Sequence, residues 1–173
     1  MATEVISKSS KSNNKVAQKF LEPGSTIIRG GGRVRIFSKE KGDQVDSGLR
    51  LSYGRVMGER RPGYLFSELI NTLIINKNWE VNINPKIAFT GDTSLISFGV
   101  GSKIQASPKL YIIPESNLAI SNSETNYSIT ARRIINNRLN IDCLVSNSLS
   151  SIDMGQMLNS KKIGLGINIG FNF

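Results

Sequence analysis

The last eleven residues constrain the fold most. Ile163, Leu165, Ile167, Ile169, Phe171 and Phe173 take every second position, with Gly164, Gly166, Asn168, Gly170 and Asn172 between them. A helix at 3.6 residues per turn scatters those apolar groups around its axis, whereas a strand sets them all on one face. One face is then wholly apolar, and the other carries only Gly and Asn.

The same period recurs upstream. Trp79, Val81, Ile83, Ile87 and Phe89 share a face, opposite Glu80, Asn82, Asn84 and Lys86. Ile96, Phe98, Val100 and Ile104 face away from Ser97, Gly99, Gly101, Lys103 and Gln105. Leu110, Ile112, Leu118 and Ile120 follow, then Tyr127 with Ile129, then Leu139, Ile141, Cys143 and Val145 opposite Asn140, Asp142 and Ser146. Gly91-Asp92, Ser107-Pro108, Asn122-Ser123-Glu124 and Asn136-Asn137 supply turns between them. Nearer the start, Val34 and Ile36, then Leu49, Leu51 and Tyr53, predict a hairpin around Lys39–Asp46.

The spacing yields about eight or nine strands of about ten residues, longer than the five or six of an average soluble strand. Long strands, short turns and no crossover helices predict an all-β fold, an antiparallel up-and-down meander or β-barrel. Two segments fit less easily. Tyr64–Lys77 has apolar residues at helical spacing (Leu65, Leu69 and Leu73 beside Phe66, Ile70 and Ile74), but a lone helix has no place in a regular meander, so a strand is expected. Arg132 and Arg133 are adjacent and must point to opposite faces, which predicts a bulge or a strand end there. The alternatives are a soluble β-sandwich or an α+β fold with a helix at 64–77.

Composition removes most chemistry. The chain has no His and one Cys, which excludes zinc fingers, Cys/His pairs, Ser-His-Asp triads and disulfide frameworks. The strand carboxylates Glu68, Glu80, Glu115, Asp142 and Asp153 show no glycosidase or metal spacing, so no catalytic residue, cofactor or metal is expected. Glu115 and Asp142 are the expected inward acids, with Arg132 or Lys103 as partners. Residues 1–61 hold 13 basic and 6 acidic groups, against 9 and 7 in 62–173. The positive charge is therefore concentrated in the first third. Residues 1–23 read as a disordered polar, basic tail, and 24–173 as the β-domain.

The terminal aromatic Phe173, with apolar residues at alternate positions back to Ile163, resembles the closing strand of Gram-negative outer-membrane β-barrels. Trp79–Phe89 and Asp153–Phe173 resemble the last strands of cyanobacterial proteins of that type. The resemblance implies a non-enzymatic barrel in the outer membrane, or the C-terminal part of one, with a structural or porin-like role. Its partners would be membrane lipid and the barrel-assembly machinery, which reads the strand Ile163, Leu165, Ile167, Ile169, Phe171 and Phe173. Members carry a cleaved signal peptide, and residues 1–22 lack its apolar stretch. A fragment of a longer exported protein, or a misplaced start, is the expectation that follows. The alternative is a soluble, cytoplasmic, basic β-module that binds a polyanion such as nucleic acid through Arg29, Arg33 and Arg35 around Gly30-Gly31-Gly32. In a barrel those same arginines face the interior.

Overall fold

The computed structural model describes residues 2–5, 26–38, 42–43, 45–57, 63–149 and 153–171. They form one ten-stranded antiparallel meander in sequence order. The strands are β1 (Ala2–Val5), β2 (Thr26–Phe37), β3 (Val45–Val56), β4 (Tyr64–Asn76), β5 (Trp79–Phe89), β6 (Ser94–Ser107), β7 (Leu110–Ser121), β8 (Asn126–Asn136), β9 (Leu139–Ser148) and β10 (Asn159–Phe171). Each pairs only with its neighbours in sequence, and β1 does not pair with β10: the sheet is a meander that does not close into a barrel. No α-helix occurs among the described residues.

Nine long strands match the spacing of the apolar alternation, and β4 resolves the ambiguous segment as strand. Its outward side carries Ser67 and Asn71 among Leu65, Leu69 and Leu73, as their pairing with Phe89, Ile87 and Val81 on β5 and with Tyr53, Leu51 and Leu49 on β3 requires. Asn71 is tolerated there because its amide is satisfied, donating from Nδ2 to the Ile83 carbonyl at 2.9 Å. Its backbone N–H donates to Asn84 Oδ1 at 3.0 Å. These two amides bridge the point where Pro85, which has no N–H, interrupts the β4–β5 ladder between Glu68 and Thr72.

The glycine run needs no bulge. Gly30, Gly31 and Gly32 pair in regular register with Tyr53, Ser52 and Leu51, and the irregularity of β2 falls later, between Arg35 and Phe37. The two adjacent arginines of β8 also keep regular register, Arg132 opposite Asp142 and Arg133 opposite Ile141. Their conflict is relieved by position: Arg133 emerges near the end of the strand and is exposed. Ala2–Val5, within the segment that reads as a disordered tail, pair with Thr26–Arg29 of β2 as a short edge strand. The remainder of that tail, residue 1 and residues 6–23, lies outside the described residues.

The two faces of the sheet differ in chemistry. One carries the alternating apolar set and is solvent-accessible from β2 to β10, with Leu165 85% and Ile167 74% exposed. No second layer or helix covers it among the described residues. Phe171 of the terminal set pairs with Leu139 in register, whereas Phe173 lies outside the described residues. The other face is polar along most of its length and curls around a shared interior. That curl ends in an apolar cluster: Ile27, Tyr64, Phe66, Ala88, Leu95, Leu149, Met154, Met157 and Leu158 are buried together at one end of the strands. Gly54 lets the Tyr64 ring into this cluster, since a Cβ at Gly54 would stand inside the ring's van der Waals envelope. Gly54→Ala is expected to cost about 1–3 kcal/mol through overpacking, read as a lowered midpoint of chemical unfolding.

Candidate functional site

The inner face builds the only concentration of charge that the fold withdraws from solvent among the described residues. Period-two alternation turns Arg29, Arg33 and Arg35 of β2, Arg50 of β3, Glu68 of β4 and Lys86 of β5 to this side. On the far half it turns Lys103 of β6, Glu115 and Asn117 of β7, Arg132 of β8 and Asp142 of β9 inward. Residues from β2 to β10 line one cavity of about 540 Å³.

A short 3-10 turn, Asp153–Met157, fills the end of that cavity. Met154 and Met157 are completely buried in the apolar cluster. Asp153 opens the turn at a φ of 54°, a left-handed conformation that an aspartate tolerates better than most residues. Its carboxylate forms a direct ion pair with Arg50, and Arg29 Nη1 stands 3.9 Å from its other oxygen. Arg50 also reaches Glu68 at 3.3 Å, and Lys86 Nζ lies 3.5 Å from Glu68 on the opposite side. Arg50 in turn lies over the Phe66 ring, 5.1 Å from its centroid.

The turn is held from the other half of the sheet by amides. Lys86 Nζ donates to Gln156 Oε1 at 2.9 Å and to Asn117 Oδ1 at 2.6 Å. Gly99 gives the lysine its path, for a Cβ there would lie 3.1 Å from Lys86 Cε. Asn126 Nδ2 donates to the Gln156 carbonyl at 2.6 Å. Backbone bonds from Glu124 N to the Met157 carbonyl and from Leu149 N to the Leu158 carbonyl close the margin, at 2.8 and 2.9 Å. A chain of charges thus runs from Arg29 through Asp153, Arg50 and Glu68 to Lys86. Buried charges persist when paired and hydrogen-bonded; Asp153, Arg50, Glu68 and Lys86 each have such partners, and Arg29 is held by its ion pair with Asp153.

Nearer the other end, two further pairs cross the interior wall. Arg132 meets Asp142 in a two-pronged bond at 2.8 and 2.7 Å. Lys103 pairs with Glu80 at 3.3 Å and lies 4.9 Å from the centre of the Tyr111 ring. Of the pairings expected from sequence, Asp142 with Arg132 is present. Glu115 instead accepts from Ser128 Oγ at 3.5 Å, while Lys103 takes Glu80. Tyr111 lies on the inner face under Lys103. Trp79, Phe89 and Tyr127 are exposed on the outer face at strand ends.

The three arginines grouped as a polyanion contact do share the inner face. Arg29, however, is buried against Asp153, and Arg35 stands 3.7 Å from Asp46. Arg33 lines the cavity. They do not form an outward basic patch. No group of three or more carboxylate or cysteine ligands that could hold a metal occurs among the described residues. Sequence reasoning missed the turn itself, because Asp153 reads as the start of the last strand. The only local sign was Met154 and Met157, an apolar pair three apart that fits one helical turn.

The chain matches no protein-family model, no curated protein and no solved structure.

Proposed function

We propose that the chain is a non-enzymatic wall protein of a bacterial outer membrane, its sheet crossing the bilayer with the apolar face toward lipid and the charged face turned inward. The observation that carries this reading is the distribution of side chains. Large apolar groups stay exposed along β2 to β10, while ion pairs and amides fill the enclosed side. Soluble sheets bury the apolar face; a sheet in hydrocarbon inverts that order. Strand lengths of 10 to 14 residues suit the same role. From Trp79 to Phe89 the backbone advances about 33 Å, or about 25 Å across a bilayer at the usual strand tilt.

Hydrocarbon offers no hydrogen bonds, so the free backbone edges of β1 and β10 must find partners in lipid, either each other or strands of another chain. The role is structural. The turn at 153–157 and the pairs around Lys86 and Arg132 fill the interior, as expected for so few strands. A porin-like opening would need additional strands. A cytoplasmic polyanion-binding module has less support, because Arg29 is committed to Asp153.

The full chain should stay dispersed only with detergent or lipid. Folded in micelles, it should migrate faster in SDS unheated than boiled. An identical, monomeric elution in plain buffer with and without detergent, together with heat-independent migration, would remove the proposal.

A further inference from the structure

The two ends of the sheet differ in charge. At one end β4–β5, β6–β7 and β8–β9 are joined by two-residue turns, Lys77-Asn78, Pro108-Lys109 and Asn137-Arg138. Each of these turns holds one cation and no acid; Asp43, in the longer β2–β3 connection at the same end, accepts from the Ser38 backbone N–H. Arg133 adds a fourth cation at the same level, exposed on the outer face between Leu110 and Ile141. None of the four has a carboxylate within ion-pair distance among the described residues. Trp79, exposed on the outer face, starts its strand at this end. At the opposite end, the described loops 90–93 and 122–125 each hold one acid, Asp92 and Glu124, and these offset the exposed Arg55 near the end of β3 and Lys162 near the start of β10.

We infer that the two-residue-turn end of the sheet seats in a layer of anionic phospholipid headgroups, which Lys77, Lys109, Arg133 and Arg138 neutralise. This rests on the membrane reading above and adds an orientation to it. The argument is charge complementarity next to an apolar belt. A cation at the belt's margin can lay its methylenes on apolar neighbours and keep its charge in the headgroup region, and an indole prefers the same depth. Four unpaired cations at one rim gain from a negative surface potential that extends only about a Debye length, whereas at the opposite end Asp92 and Glu124 offset Arg55 and Lys162.

The test uses the full chain added to vesicles of phosphatidylcholine alone and of phosphatidylcholine with phosphatidylglycerol, with partition read at low and high salt. The wild type should partition about a hundredfold more strongly into the anionic vesicles at low salt, several-fold per cation on the rim. K77Q/K109Q should lose about tenfold or more of that preference. R55Q/K162Q removes the same charge away from the turns and should leave the preference nearly intact. Both pairs lie on exposed positions, and unheated SDS migration reports that they still fold.

Equal losses in the two pairs would mean that net charge alone drives binding, and would overturn the inference. So would a DNA duplex held in plain buffer and lost in K77Q/K109Q while vesicle partition stays unchanged. Equal entry into neutral and anionic vesicles leaves the membrane reading standing and overturns only the orientation. Entry into neither removes both.

Discussion

An arginine at Val100 is expected to destabilise the bilayer-embedded protein by about 2–4 kcal/mol, whereas one at Ile104 should cost about 0–1. Both side chains point outward from β6, and both are exposed. Val100 lies opposite Ile83 in the middle of β5, while Ile104 is level with Trp79 at the strand end. Only depth in a hydrocarbon layer distinguishes them. In water, V100R would replace an exposed valine with a charge and leave stability within about half a kcal/mol. Urea unfolding from vesicles measures the difference, and equal small effects at the two positions would contradict a lipid-facing surface.

The second large effect is expected at Arg50. R50M leaves Asp153 with Arg29 at 3.9 Å and Glu68 with Lys86 at 3.5 Å. Two buried carboxylates then share weaker partners, and the expected loss is about 3–5 kcal/mol. D153N keeps a residue that accepts the positive φ but removes the charge, so R50M/D153N should be less destabilised than the two single losses added. Strict additivity in this cycle would mean that the Arg50–Asp153 pair does not hold the turn, leaving it to its methionines and to the hydrogen bonds around Gln156.

The strands were legible because alternation is local. Ile163 to Phe173, or Trp79 to Phe89, declare their faces without reference to anything else in the chain. Even the helical spacing of 64–77 yielded to the meander around it, since β4 must match β3 and β5. The interior was legible only in part. Asp142 finds Arg132 directly across a hairpin, and period two brings those residues together. Asp153 finds Arg50 across 103 positions, and no periodicity reports such a distance. Nor does alternation say whether the outermost strands meet. Closure depends on curvature and strand tilt summed over the sheet, and here it does not occur.

The seating of Asp153 in the sheet bears on the order of assembly. Every ribbon pairs with the one made just before it, so zipping can follow synthesis or translocation hairpin by hairpin, with little loop entropy lost at each step. The latch on Arg50 is different, because its second half emerges only after nine ribbons have been made. Until then Arg50, Glu68 and Lys86 line a cleft without its stopper. A chain stalled before residue 153 would therefore be a loose, hydrated intermediate, and arrival of the stopper would mark the step at which the interior sets.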